Sequence, residues 1–201
     1  MASNTDRERT LRLTRRRERI TARELAAAGI HRQTVSRLVA SGELKRVVRG
    51  VYRLPGHPQS EHTGLAIVGA VVPQGVICLL SALQFHGIGT QVPSEVWIAI
   101  DRKARRPSLR YPPLRVLRFS GAALTEGVEI KPIDGQMVRI YNVAKTVVDC
   151  FKYRNKIGLD VALEALREAR AAKMASAEAL WHYAKIDRVT NVMRPYLESV
   201  E

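Results

Sequence analysis

Cysteine, long apolar runs and acidic residues are all scarce in this 201-residue chain, and each scarcity removes a class of protein. Two cysteines, Cys78 and Cys150, are too few for a disulfide scaffold or a zinc ribbon, and their apolar surroundings suit buried, reduced thiols. The longest apolar region, 65–83, is broken by Pro73-Gln74-Gly75. Neither half reaches the roughly 20 residues that span a bilayer, so no transmembrane helix is expected. The N-terminus is charged from Asp6 onward and lacks an apolar stretch followed by small residues. No secretory signal is read there, and the cytoplasm is the expected compartment. Acidic residues number 19 against 33 lysines and arginines, leaving a net charge of +14. With 46% hydrophobic and 26% charged residues the chain can still build a core, so the excess charge points to a polyanionic partner and not to a disordered tail.

The charge is not spread evenly. Residues 1–58 hold fourteen basic and five acidic side chains, a net of +9, and the other 143 residues carry only +5. Within that second part, 101–119 holds seven basic residues and one acid, so this segment alone carries +6. The stretch His57-Pro58-Gln59-Ser60 between the two parts reads as a linker, which gives expected domains of 1–58 and 59–201.

In the first part, Thr21-Ala22-Arg23-Glu24 is a capping box that should open a helix, and Gly29 suits the left-handed position after its end. After a short turn, 32–41 places Val35, Leu38 and Val39 on one apolar stripe before Gly42. Helix, turn and helix followed by two β-prone runs, 44–48 and 51–54, around Arg49-Gly50 make a winged helix-turn-helix. The face of the second helix opposite its apolar stripe carries Gln33 and Arg37, with Thr34, Ser36, Ala40 and Ser41 on its shoulders, and Arg32 stands at the helix start. These side chains can read base edges in a major groove, Arg suiting guanine and Gln adenine. Arg46, Arg49 and Arg53 on the wing suit phosphate or minor-groove contact. Upstream, 5–20 reads as a first helix with Arg12, Arg15, Arg16 and Arg19 on one face, available either to solvent or to phosphates.

The second part reads as mixed α+β with a helical end. Helices are expected over 63–72, in the later part of 76–87, from the Asn142 cap to about 151, and over 159–174, 176–186 and 189–197. Strands are expected over 95–100 and 114–119, and over 128–133 and 136–140 around an Asp134-Gly135 turn. Leu159, Leu163 and Leu166 are expected on one face of their helix, and His86 to close a helix end against Gly87.

The run from Ile20 through Thr21-Ala22-Arg23-Glu24-Leu25 to Gly29-Ile30, then Gly42-Glu43-Leu44 and Arg49-Gly50-Val51-Tyr52-Arg53, resembles the N-terminal winged helix of AbiE-type antitoxins. These are the regulator half of a type IV, abortive-infection toxin–antitoxin pair. Leu80-Ser81-Ala82-Leu83 with His86-Gly87, and Asn142-Val143-Ala144-Lys145-Thr146, resemble the C-terminal domain of the same family, which usually has Arg where this chain has Lys145. The resemblance implies a phage-defence antitoxin that binds double-stranded operator DNA at inverted repeats and represses its own operon. It also implies a C-terminal domain required for antitoxin activity, and a nucleotidyltransferase-like toxin neutralised without a stable complex. In the family both domains can contribute positive charge to DNA binding; the second basic run fits that, and its Arg102, Lys103, Arg105 and Arg106 are taken into the expected DNA-binding set on their charge. No cofactor or metal is expected, and no membrane, because neither basic run lies on an amphipathic helix with a large apolar face.

A different class of reading is a stand-alone winged-helix regulator with no toxin partner. A third is a Mg-dependent nuclease, because Asp101 followed by Glu129-Ile130-Lys131 imitates the Asp…Glu-x-Lys pattern that holds a metal and activates water. Other catalytic signatures are missing. Ser81 and Ser120 lack the flanking glycines of a nucleophile elbow, Gly87-Ile88-Gly89 lacks the third glycine of a dinucleotide loop, and no phosphate loop occurs. His57, Glu61 and His62 have no third His or Cys ligand and read as an exposed polar connection.

Overall fold

A computed structural model describes residues 2–17, 19–56 and 60–198. His57 and the expected 58/59 boundary lie outside the described residues. The chain divides into two compact units, Met1–Pro73 with Lys131–Val138, and Gln74–Ile130 with Arg139–Glu201. The first unit thus runs on past residue 58 and takes in a distant segment.

The first unit begins with α1 (Ala2–Arg17), β1 (Arg19–Thr21), α2 (Ala22–Ala27) and α3 (Arg32–Ala40), continues through β2 (Lys45–Val48) and β3 (Val51–Arg53), and adds α4 (Thr63–Val71). The first helix stops at Arg17 and not near residue 20, because Arg19–Thr21 pairs antiparallel with β3, Ile20 facing Tyr52. That pairing sends Ile20, 1% exposed, into the core. It also takes Arg19 off the helix face expected for it. The Arg19 guanidinium is buried, donating to Asp134 Oδ2 at 2.5 Å and to Thr63 Oγ1 at 3.1 Å.

The capping box is formed in both directions: Glu24 N–H donates to Thr21 Oγ1 at 3.1 Å, and Thr21 N–H donates to Glu24 Oε2 at 2.7 Å. Gly29, at φ +75°, ends α2 with the paired bonds Ile30 N–H to Leu25 O and Gly29 N–H to Ala26 O, both 2.9 Å. Val35 and Leu38 of α3 pack with Ile20, Leu25, Ile30, Leu44 and Tyr52. The sheet order is β1-β3-β2, which completes a winged helix-turn-helix. The wing is short: Ala22 N–H donates to Gly50 O at 2.7 Å, so the Arg49-Gly50 turn is held against the start of α2.

The second unit is built on a five-stranded sheet. In chain order it contains β4 (Val76–Ile77), α5 (Leu79–His86), β5 (Val96–Asp101), β6 (Leu114–Phe119) and α6 (Ala122–Thr125), then β7 (Val128–Ile133) and β8 (Gln136–Tyr141). The helices α7 (Val143–Lys152), α8 (Arg154–Ile157), α9 (Leu159–Ala171), α10 (Ala177–Ile186) and α11 (Thr190–Leu197) follow. The sheet order is β6-β5-β4-β8-β7, with β5 parallel to β6 and β4 antiparallel to β5. The turn between β7 and β8 has φ +44° at Asp134 and +73° at Gly135, the left-handed pair that a two-residue hairpin needs. Residues 131–138 around it belong to the first unit.

Asn142 caps α7 as expected, its Oδ1 accepting from Lys145 N–H at 2.9 Å, and residues 143–151 of α7 are all buried. The leucine face of α9 holds in part: Leu166 is buried and Leu163 packs against the core, Leu159 is 37% exposed, and the helix also buries Val161, Ala162, Ala165 and Ala169. Three alanines let α9 come close to α7, so small size as well as leucine spacing sets the face. His86 does not merely close its helix: Nε2 lies 2.8 Å from Tyr141 O.

Candidate nucleic-acid interface

On α3 the core side is fixed by Val35 and Leu38, which leaves Arg32, Gln33, Ser36 and Arg37 exposed and Thr34 half-buried. Four of these five polar side chains are therefore open to solvent. Ser41 and Gly42 end the helix, and Leu44, 1% exposed, ties the wing to the core.

Arg32 at the start of α3, Arg46 on β2 and Arg49 at the wing turn line a single groove of about 610 Å³. Its floor is apolar, made by Leu25, Ala26, Ile30, Val35 and Tyr52 with Ala22 and Gly50. The Arg46 guanidinium sits 5.9 Å from the Tyr52 ring centroid, which holds an exposed cation in place by its attraction to the ring face. A groove with an apolar floor and a guanidinium rim suits a sugar–phosphate chain.

Arg53 differs from its neighbours on the wing. It is half-buried on β3, in register between Arg19 and Lys45. Arg15 and Arg16 are exposed in the last turn of α1, where positive charge also complements the helix dipole. Two nearby arginines are held in ion pairs, Arg17 with Glu24 at 2.6 Å and Arg7 with Glu43.

The second basic run connects β5 to β6. Arg102, Lys103, Arg105 and Arg106 are exposed in it, and all lie in the second unit.

The nuclease pattern is not assembled. Asp101 ends β5, Glu129 is on β7, and β4 and β8 lie between those strands. Three strand spacings put the two carboxylates about 14 Å apart, too far to share one ion. Among the described residues no group of three His, Cys, Asp or Glu side chains could hold a metal. Glu61 and His62 approach to 3.6 Å as a pair at the surface end of the connection.

The cluster of charges that sequence reasoning missed is in the interior of the second unit. Lys145, fully buried, donates to Asp149 Oδ1 at 2.5 Å and to Asp187 Oδ2 at 3.0 Å, while Lys152 donates to Asp187 Oδ1 at 2.9 Å. Tyr141 and Phe119 cover the Lys145 ammonium, with ring centroids 4.7 and 5.1 Å away. Burial pushes the Asp149 carboxyl up, against the pull of Lys145 and with the help of Asp187. Burial works on Asp187 in the same direction, but Lys145 and hydrogen bonds from Asp149 and Lys152 outweigh it and hold that carboxyl low. Asp149 Oδ2 accepts no hydrogen bond, and a proton on it can be donated to Asp187. The surroundings thus push the two acids in opposite directions, Asp149 toward its neutral form and Asp187 toward its charged one. Burial also pushes the neighbouring Tyr153 phenol up to about 12. The only sequence signal for this cluster is the i, i+4 spacing of Lys145 and Asp149, which on most helices marks a solvated pair.

Comparison with known proteins places the first unit. Residues 8–55 match the family AbiEi_4, described as "Transcriptional regulator, AbiEi antitoxin". The match ends with the wing and covers none of the second unit. No curated protein matches the chain. Among solved structures, the Rv2827c protein of Mycobacterium tuberculosis is similar in fold, with a TM-score of 0.59 and 18% identity over 90% of this chain and 71% of that one. No described helix is long and apolar enough to cross a membrane.

Proposed function

We propose that this chain is the antitoxin and autorepressor of a type IV abortive-infection pair, reading its own operator through α3. The observation that carries this is the exposed Gln33, Ser36 and Arg37 face of α3 beside a guanidinium-rimmed groove, in a segment that matches an antitoxin and regulator family. Gln33 and Arg37 contact base edges in the major groove, with Thr34 and Ser36 beside them. Arg32, Arg46 and Arg49 hold the sugar–phosphate chain, and Arg15, Arg16 and Arg53 add positive potential. Arg102, Lys103, Arg105 and Arg106 supply phosphate contacts that do not depend on sequence. An operator of inverted repeats, a nucleotidyltransferase-like toxin neutralised without a stable complex, and a cytoplasmic site of action complete the reading.

The test is a titration of the full chain against its own upstream DNA and a scrambled duplex over a range of salt. Arg37→Ala and Gln33→Ala should each cost about 1–3 kcal/mol on the operator and narrow its preference over the scrambled duplex. Arg49→Ala should weaken both duplexes equally and lower the salt slope by about 0.9. Unchanged operator preference in Arg37→Ala would remove α3 as the reading helix. The stand-alone regulator is supported by the extent of the family match, which stops at residue 55. Co-expression with the product of the adjacent gene separates the two: rescue of growth from a nucleotidyltransferase toxin favours the antitoxin, and no toxicity to rescue favours the regulator.

A further inference from the structure

The connection between β5 and β6 is a built surface, with its backbone fixed and its cations turned outward. Arg118 Nη1 donates to the carbonyls of Asp101, Arg102 and Ala104 at 3.3, 2.8 and 2.8 Å. Arg102 N–H donates to Phe119 O at 2.9 Å and Ala104 N–H to Asp101 O at 3.0 Å. Asp101 is the only acid in 101–119, and its Oδ1 accepts from Lys103 N–H at 2.7 Å, so it serves the turn and neutralises no arginine. Arg115 lies over the Trp97 ring at 5.5 Å.

What remains is Arg102, Lys103, Arg105, Arg106 and Arg110, all exposed and none in an ion pair, followed directly by Tyr111 at 62% exposure. Five unpaired cations within nine residues repel one another, and a polyanion relieves that repulsion. The exposed ring decides which polyanion. In a duplex the base faces are already stacked, and this segment offers neither a helix nor a two-stranded ribbon to enter a major groove. Beside phosphate-binding cations, an exposed aromatic is useful where bases are unstacked. A membrane surface is a poor match, because the segment has no apolar face.

We propose that residues 102–111 bind single-stranded nucleic acid, with the free cations on successive phosphates and the Tyr111 ring stacked against one base. The proposal rests on the phosphate-binding reading of this loop above and is independent of operator recognition by α3.

The test uses the full chain and fluorescence anisotropy with labelled 12-nucleotide oligo-dT, oligo-U and a 12-base-pair duplex. Tyr111→Leu should weaken both single strands about tenfold, Tyr111→Phe should retain them, and neither should move duplex affinity by more than about twofold. Arg105→Ala with Arg106→Ala should lower the single-strand salt slope by about 1.4, or 0.7 for each phosphate released. A loss confined to oligo-U or to oligo-dT would assign the site to RNA or to DNA. If Tyr111→Leu bound single strands as wild type does while the double arginine variant lost slope, stacking would be refuted and phosphate binding retained. If the double variant also kept its slope, both would be refuted. Because Tyr111 is exposed, melting temperatures within a degree or two of wild type verify that the variants fold.

Discussion

Replacing Asp187 by Asn should unfold the second unit far more readily than replacing Asp149 by Asn, although both acids touch the same lysine. Asp187 accepts from Lys145 at 3.0 Å and from Lys152 at 2.9 Å, and Lys145 is completely buried. At 3 Å and an effective dielectric of 20, one such attraction is about 5.5 kcal/mol before desolvation. Removing the charged partner of a buried pair has a net cost of about 3–5 kcal/mol. At about 3 °C per kcal/mol for a protein of this size, Asp187→Asn should melt 10 °C or more below wild type. Asp149→Asn puts a neutral group where burial already favours a neutral acid, since its amide can donate to Asp187 and its carbonyl can accept from Lys145. It should lose less than about 1.5 kcal/mol. The assay is intrinsic fluorescence, because Trp97 and Trp181, the two tryptophans of the chain, both lie in the second unit. Acidity separates the two roles. The Asp149 carboxyl is raised in the folded state, so its contribution is complete below its unfolded value near 4 and is lost as pH rises toward the folded value. Asp149→Asn should therefore gain on wild type as pH rises above about 4. The Asp187 carboxyl is lowered, so its contribution is present above the unfolded value and disappears as pH falls through the folded one. Equal destabilisation by the two substitutions, with no pH trend in Asp149→Asn, would show that Asp149 is charged and that no proton is shared.

Two further outcomes follow from the first unit and the basic loop. Arg19→Met should leave the Asp134 carboxylate with the Thr63 hydroxyl but without its cation and cost about 3 kcal/mol, read as lost amide protection in 19–21 and 51–53 by hydrogen exchange. Arg118→Ala should free the carbonyls of Asp101, Arg102 and Ala104, and trypsin should then cut within 102–106 at least several-fold faster while the melting temperature changes little.

The helix-turn-helix was legible because its boundaries are encoded locally. Thr21 and Glu24 are three residues apart and Gly29 supplies its own left-handed turn, so neither cap depends on the rest of the chain. β1 was not legible for the opposite reason. Three residues following an arginine-rich helix carry no period, and Arg19 finds its acid 115 positions away in a hairpin turn. The same limit hid the buried cluster. Lys145 and Asp149 are visible as a helical pair, but the partner that makes them interior, Asp187, comes 42 residues after the lysine and the covering ring of Phe119 comes from another strand. On α9 the leucines marked only part of the buried face, with Leu166 and Leu163 at the core, because close contact with α7 added the alanines to it. The Asp101 and Glu129 pattern misled differently: both strands were read, and the sheet order that separates them cannot be inferred from their spacing.

A net charge of +14 counts arginines and lysines as equivalents, and the structure shows that they are not. Lys145 and Lys152 are tied to buried carboxylates, Arg19, Arg7 and Arg17 to half-buried ones, and Arg118 to backbone carbonyls. None of these can meet a phosphate without giving up a partner, so they add to the long-range field and little to contact. Among the cations left over, Arg32, Arg37, Arg46 and Arg49 on α3 and its groove and the five on the loop after β5 are exposed where a polyanion can reach them. Salt dependence of binding counts released ions and not formal charge. A slope measured for the operator complex should accordingly lie near about 6, or 0.9 for each of the seven cations assigned to phosphate (Arg32, Arg46, Arg49, Arg102, Lys103, Arg105 and Arg106), and one approaching fourteen ions would mean that the buried and scaffolding pairs open on binding.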